Sequence, residues 1–204
     1  MRRALATAAA AVLVAVAGGC GSGGTYPTAR STTLAAPEFR GGVIQPPDRT
    51  PDIRLRNVDG KRVRLSEQRG HVTFVIFIYA RCPDICPLIV ENLRRVQALH
   101  PGNRPRILAV SVDPKGDTPV VERSFLKQHE MAGRMEYLVG SRAELERVWG
   151  EWAIGRSVPK TNPDLVEHSG QIYGISSSGK RMTLYPINFP VVDISADVSL
   201  LAAR

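Results

Sequence analysis

The sequence lacks the features that identify several common classes of protein. No apolar run reaches the roughly 18 residues of a clear membrane-spanning helix, which excludes a multi-pass membrane protein. Basic residues do not occur in long runs, and aromatic residues make up only 6% of the chain. The net charge of +8 is therefore better explained by a solvated basic surface than by a nucleic-acid groove, and we expect no nucleic-acid partner.

Catalytic motifs and cysteines are also scarce. The phosphate-binding loop, the serine-hydrolase elbow and the zinc-peptidase helix motif are all absent. The chain has three cysteines, Cys20, Cys82 and Cys86, too few for a small domain held together by disulfides. With 204 residues, 43% of them hydrophobic, it is long enough for one globular domain with additional segments.

The N-terminus has the pattern of a secretion signal. Arg2 and Arg3 precede a short apolar segment, and small residues then lead to Cys20. The segment Ala17–Cys20 resembles the bacterial lipobox, in which the cysteine is lipidated. We expect residues 1–19 to be a lipoprotein-type signal peptide and Cys20 to anchor the chain to the extracytoplasmic face of the cell membrane. Ordinary cleavage nearby or an uncleaved anchor remains an alternative.

The rest of the chain divides into a linker and a domain. Residues 20–50 are rich in Gly, Ser, Thr and Pro and lack hydrophobic periodicity, which predicts a flexible membrane tether. Residues 51–204 predict a single folded domain. Its expected strands lie at 71–80, 106–112 and 135–139, with hairpins over 53–65 and 171–185. Its expected helices lie at 87–99, from 119, around 145–152 and from about 194. This order predicts an α/β fold of the thioredoxin-like type, with a central mixed β-sheet flanked by helices and an N-terminal hairpin.

The remaining two cysteines lie at a predicted strand–helix junction. Cys82 and Cys86 are four residues apart, a spacing that brings two Cβ atoms to about 5–6 Å on a helical turn. A helix N-terminus also favours thiolates. The pair can therefore close a disulfide or hold a soft metal such as Cu(I) or Zn(II), for which a third ligand is expected.

A histidine is the most suitable third ligand, and the chain has four. His71 begins a strand, and His100 and His129 fall near helix C-termini, where a cation is favoured by the helix dipole. His168 precedes the late hairpin, and a loop entering a late strand can lie beside an earlier strand–helix junction. This placement favours His168, but sequence spacing alone does not decide among them.

Four segments together carry a resemblance to a known family. The chain resembles the Sco/SenC family of copper chaperones from about residue 51 to its end. The segments are Tyr79–Pro87, Ser111–Pro114 followed by Asp117–Pro119, Tyr137–Gly140, and Val166–Ser169.

The resemblance implies a site and a partner. It implies copper, as Cu(I) or Cu(II), bound by Cys82, Cys86 and His168, with the two cysteines also able to form a redox disulfide. It implies service to the copper-bearing subunit of cytochrome c oxidase, by copper delivery or by reduction of the thiols of its binuclear copper site. Asp113 is a candidate for orienting the ligands, although capping or turn formation explains it equally well. Such a role is that of a carrier rather than an enzyme, with thiol–disulfide reduction as the one enzymatic activity left open.

Three other functions compete with this interpretation. A metal-independent thiol–disulfide oxidoreductase of the cell envelope would share the cysteines, although thioredoxin-type pairs have two intervening residues rather than three. A peroxiredoxin-type peroxidase usually has Thr or Ser three positions before its reactive cysteine, where this chain has Tyr79. A lipid-anchored binding module would use the cysteines only as a structural disulfide.

Overall fold

The computed structural model describes residues 38–48, 50–162 and 165–204. The predicted signal peptide, the predicted lipidation site Cys20 and most of the predicted tether lie outside these residues. Within the described ranges, no helix combines the length and the apolar character needed to cross a membrane.

An eight-stranded mixed sheet forms the centre of the domain. Its strands are β1 (Gly42–Asp48), β2 (Arg54–Asn57), β3 (Arg62–Arg64), β4 (Thr73–Ile78), β5 (Arg106–Ser111), β6 (Glu136–Val139), β9 (Gln171–Ile175) and β10 (Arg181–Pro186). Their order across the sheet is β1-β10-β9-β4-β5-β6-β2-β3. β4, β5 and β6 run parallel, and the other neighbouring pairs are antiparallel. All of β4 is buried, as the continuous apolar run in its sequence predicts.

Helices cover both faces of this sheet. They are α1 (Ile85–Leu99), α2 (Pro119–Gln128), α3 (Arg142–Glu151) and α4 (Val191–Ala202). Phe74 of β4 makes an edge contact with Tyr185, whose hydroxyl donates to Asp197 of α4, and α4 packs on α1. Phe77 lies three positions along β4, so it faces the opposite side, where it packs on Trp152 just after α3. The predicted mixed sheet flanked by helices is confirmed.

The predicted hairpins and strands are confirmed, with small differences at the helix boundaries. β2 and β3 form the N-terminal hairpin, which occupies one edge of the sheet. α1 begins two residues before the predicted position, because Asp84 caps it by accepting a hydrogen bond from the Ile85 backbone. Thr118 caps α2 as expected, with Pro119 in its first turn.

The predicted tether is shorter than expected, because its last part belongs to the sheet. Gly42–Asp48 pairs antiparallel with β10, and the backbone N–H groups of Arg40 and Gly41 donate to the carboxylate of Asp197. Backbone hydrogen bonds rather than an apolar stripe hold this edge strand, which is why periodicity did not reveal it. Edge strands also tolerate proline, and β1 contains two.

A short ribbon that the sequence did not predict positions His168. Its strands are β7 (Arg156–Ser157) and β8 (Glu167–His168), and Arg156 pairs directly with His168. The side chain of Arg156 donates to the carbonyl of Val112, which follows β5. This bond ties the ribbon to the same end of the parallel strands at which the cysteines lie.

Candidate metal and thiol site

The two cysteines lie where β4 meets α1, as predicted. Cys82 is in the short loop after the strand, and Cys86 is in the first turn of the helix. The backbone N–H of Cys86 donates to the sulfur of Cys82 over 3.4 Å. The two cysteines are not joined by a disulfide in this structure.

The two thiols differ strongly in acidity. A hydrogen bond from the Cys86 thiol lowers the pKa of Cys82 to about 6, with further help from the backbone N–H groups at the start of α1. The same hydrogen bond, together with burial, raises the pKa of Cys86 far above its ordinary range. Cys82 is 8% exposed and Cys86 is fully buried. Cys82 is therefore the thiolate that outside molecules can reach, and Cys86 is its protected partner.

This asymmetry predicts selective alkylation of Cys82 in the reduced, metal-free protein. The rate of iodoacetamide modification at Cys82 should rise with an apparent pKa near 6, and Cys86 should stay unmodified while the protein is folded. Mass spectrometry of the modified peptides against pH measures both rates. Cys86→Ala removes the donated hydrogen bond and should move the apparent pKa of Cys82 upward. Equal modification of both cysteines with an ordinary thiol pKa would contradict the assignment.

Tyr79 connects the cysteines to the ribbon that carries His168. Its ring meets the imidazole of His168 edge-on, with ring centroids 6.1 Å apart. Its hydroxyl is hydrogen-bonded to the backbone of Val166 and to the sulfur of Cys82, and burial raises its pKa to about 12. Tyr79 thus stays protonated, and it contacts both the predicted histidine ligand and the thiol of Cys82.

His168 has one ring nitrogen whose lone pair can bind a metal. Its Nδ1 is 3.0 Å from the carbonyl oxygen of Ser169, and because a carbonyl only accepts, Nδ1 must carry the proton. Burial lowers the pKa of His168, and the nearby Arg156 guanidinium lowers it further. The imidazole is therefore neutral at pH 7, with the Nε2 lone pair available to a metal.

The three predicted ligands are not gathered into a single cluster. No group of three His, Cys, Asp or Glu side chains in the described parts of the chain is close enough together to hold a metal ion. The structure brings Cys82 and Cys86 together and places His168 one side chain away, across Tyr79. The assignment of His168 as a ligand stays a prediction.

The buried aspartate next to the cysteine loop is Asp117 rather than Asp113. The main chain of Asp113 accepts hydrogen bonds from Gly116 and Asp117, and its carboxylate lies where a Cβ on residue 116 would be. Asp113 therefore shapes a turn, which is one of the two explanations the sequence left open. The buried carboxylate is that of Asp117, which accepts from the Ala80 backbone (2.9 Å), Ser111 (2.6 Å) and Tyr137 (2.8 Å).

Asp117 holds the cysteine loop against the two parallel strands. Its bond to Ala80 fixes the backbone two residues before Cys82, and its bond to Ser111 reaches the end of β5. Burial raises the pKa of Asp117 to about 6, against the opposing effect of its hydrogen bonds. The sequence contains the segment Asp117–Pro119. Nothing in that segment indicates that the carboxylate of Asp117, rather than that of Asp113, is buried.

A second carboxylate, that of Glu122, is buried behind Asp117. Glu122 is fully buried on α2, and neither of its carboxylate oxygens has a hydrogen-bond partner among the described residues. Burial raises its pKa to about 7, and the negative charge of Asp117 adds to this effect. A glutamate in the first turn of a helix is common, because it interacts favourably with the helix dipole. The sequence pattern therefore gave no sign that Glu122 is buried.

Comparison with known proteins agrees with the fold. The SCO1/SenC family model matches residues 43–203. An SCO2-like protein of Rickettsia prowazekii is 25% identical over 148 residues, covering 70% of this chain and 71% of the relative. Copper-bound ScoI of Arabidopsis thaliana superposes with a TM-score of 0.68 at 25% identity, over 76% of this chain and 99% of that one.

A third comparison concerns a protein with a disulfide switch. BsSco, a Sco family cytochrome c oxidase assembly protein in which a disulfide switch has been identified, superposes with a TM-score of 0.65 at 26% identity. The match covers 78% of this chain and 97% of BsSco. The family model spans the domain from β1 to α4, including both cysteines and His168. The chain therefore belongs to the SCO1/SenC family.

Proposed function

We propose that this protein is a membrane-anchored copper chaperone on the extracytoplasmic face of the cell membrane. In this proposal Cys82, Cys86 and His168 bind copper, and the copper-bearing subunit of cytochrome c oxidase is the partner. The copper-bound state of the Arabidopsis relative and the oxidase-assembly role of BsSco support the proposal. The predicted lipid anchor at Cys20 supports the location.

One observation carries the proposal: two adjacent thiols of opposite acidity lie next to Tyr79, whose ring contacts the neutral imidazole of His168. Thiolate ligands favour Cu(I), and imidazole suits copper in either oxidation state. Cys82 supplies a thiolate near neutral pH, and Cys86 must lose its proton when the metal binds. The donor set therefore fits copper, and copper binding requires the imidazole and the two sulfurs to approach one another.

A site with three protein ligands also suits transfer of its metal. A thiolate of the partner can join as a new ligand before one of the chaperone's own ligands leaves. Because each thiol that binds copper gives up a proton, we expect copper affinity to fall at low pH. Copper here is the cargo of the protein rather than its resident cofactor.

An anaerobic copper titration of reduced residues 25–204 tests the proposal. This fragment contains the whole described sheet and core, and the Arabidopsis structure, matched over 99% of its length, shows that such a domain folds alone. We expect one tightly bound copper with a thiolate-to-Cu(II) absorption band. The double variant Cys82→Ser/Cys86→Ser should lose both the band and tight binding while its thermal unfolding stays cooperative. Tight binding that survives in this variant would place the copper elsewhere.

The asymmetry of the thiols supports a second function, metal-independent thiol–disulfide exchange. The Cys82 thiolate attacks one sulfur of a partner disulfide, which forms a mixed disulfide and releases one partner thiolate. Cys86, once deprotonated, attacks the sulfur of Cys82 and releases the second partner thiolate. The partner gains two electrons, and this protein is left with a Cys82–Cys86 disulfide. In the titration above, failure to bind copper tightly combined with facile formation of this disulfide would favour exchange over copper delivery.

A further inference from the structure

A basic cleft lies at the opposite end of the parallel strands from the cysteines. The cysteines follow the C-terminal end of β4, whereas the cleft is formed around Arg106 and Glu136, the first residues of β5 and β6. The cleft has a volume of about 290 Å³. Five cationic side chains line it: Lys61, Arg62, Arg104, Arg106 and Arg134.

The cations of the basic cleft are not neutralised by the protein. Of the two carboxylates in its lining, Glu136 accepts a hydrogen bond from Asn57, and Glu67 is the partner of Arg64 outside the cleft. Arg106 donates to the side-chain oxygen of Gln68, which is uncharged. The other four cations form no ion pair and no side-chain hydrogen bond within the part of the chain that the structure describes.

The hairpin β2–β3 adds further positive charge beside the cleft. Arg56 and Arg62 stand directly opposite one another across the two strands, as do Arg54 and Arg64. Like charges in this position are destabilising, and Arg56 and Arg62 have no carboxylate partner among the described residues. Charges on an edge strand can serve to prevent edge-to-edge pairing. That explanation does not extend to Arg104 and Arg134, which lie in the loops before β5 and β6.

A buried amide joins two of the loops that carry the cations of the cleft. Gln97 of α1 is 1% exposed, and its Nε2 donates to the carbonyls of Pro105 and Arg134, each over 2.9 Å. These two bonds hold the loop before β5, with Arg104, and the loop before β6, with Arg134, against the same helix.

We propose that the basic cleft binds a phosphate group. Clustered guanidinium groups match the oxygens of phosphate in charge and geometry. The phosphate can come from a soluble phosphate ester or from the headgroup of an anionic phospholipid. A bound headgroup would turn the cysteines away from the bilayer, because the cleft and the cysteines lie at opposite ends of the parallel strands.

Binding measurements on residues 25–204 test this inference independently of copper. The soluble probes are inorganic phosphate and glycerol 3-phosphate, followed by calorimetry. The lipid probes are vesicles of phosphatidylcholine with and without phosphatidylglycerol, followed by sedimentation. We expect Arg104→Gln/Arg134→Gln to weaken binding about tenfold or more. The matched control Arg95→Gln/Lys127→Gln removes the same charge from exposed helix positions outside the cleft and should leave binding nearly unchanged.

The outcomes separate the two sources and can overturn the proposal. Binding of the soluble phosphates that the Arg104/Arg134 variant loses would support a soluble ester as the ligand. Binding only to vesicles with phosphatidylglycerol, lost in the same variant, would support the lipid headgroup. Failure of both kinds of probe to bind, or equal weakening in the two double variants, would show a merely solvated basic surface and overturn the inference.

Discussion

Replacing His168 with alanine is expected to weaken Cu(II) binding by roughly 100-fold or more, about 3 kcal/mol, with a smaller effect on Cu(I). The two thiolates alone bind Cu(I) well, whereas the affinity for Cu(II) gains more from a nitrogen ligand. The free Nε2 of the neutral imidazole is the atom that the variant removes. Competition with chelators of known affinity, followed through the thiolate-to-Cu(II) band, measures the change for each oxidation state.

Two further variants decide whether the effect comes from the ligand atom. His168→Phe keeps an aromatic ring for the edge contact with Tyr79 but has no nitrogen, so it should lose Cu(II) affinity as His168→Ala does. His129→Ala serves as the matched control, because its ring packs on Phe125 of α2 and is not part of the predicted ligand set. Unchanged Cu(II) affinity in both His168 variants would remove His168 from the site and leave a two-sulfur centre.

The sequence predicts the sheet well where burial is complete. The run from His71 to Ala80 has to be a strand buried on both faces, and β4 is fully buried in the structure. The position of the cysteine pair could be predicted for the same reason, because the end of this strand and the proline-flanked start of the next helix leave only one junction between them. Patterns of apolar residues determine these elements, and such patterns are visible in a single sequence.

Elements held by backbone hydrogen bonds are harder to predict. β1 has no apolar stripe, and β7 and β8 are each two residues long. None of the three therefore produces a hydrophobic periodicity that the sequence would show. The ribbon nevertheless decides the position of His168. Sequence reasoning favoured His168 through the general position of a late loop, and it did not predict that Tyr79 would lie between this histidine and Cys82.

The basic surface shows a similar limit. The basic residues appear scattered along the chain, which favoured an ordinary solvated surface. The fold brings five of them around one cleft from three separate segments of the chain. The alternation of Arg with apolar residues around the turn at Asp59-Gly60 was the available sign, because it places the arginines of β2 and β3 on the same face.

The buried carboxylates predict an unusual dependence of stability on pH. The negative charge of Asp117 opposes ionisation of Glu122 and the positive charge of Arg123 favours it, and the oxygens of Glu122 are unpaired among the described residues. Its pKa rises from 4.5 in the unfolded chain to about 7 in the fold. Between these two values the folded protein holds a proton that the unfolded chain has released. The free energy of unfolding therefore falls as pH rises from about 4.5 to about 7, and Asp117 contributes in the same direction.

Glu122→Gln should consequently stabilise the protein at alkaline pH and have little effect in acid. The neutral amide avoids the cost of burying an unpaired negative charge, so we expect a gain of about 2–3 kcal/mol near pH 8 that shrinks towards zero near pH 4. Urea unfolding of the reduced, metal-free protein across this pH range measures the difference. Glu146→Gln is the matched control, since that exposed residue pairs only with Arg142 and should change stability by less than about 0.5 kcal/mol at any pH. A difference for Glu122→Gln that stays constant with pH would mean that the pKa of Glu122 is the same in the folded and unfolded protein, which would contradict the predicted effect of its burial.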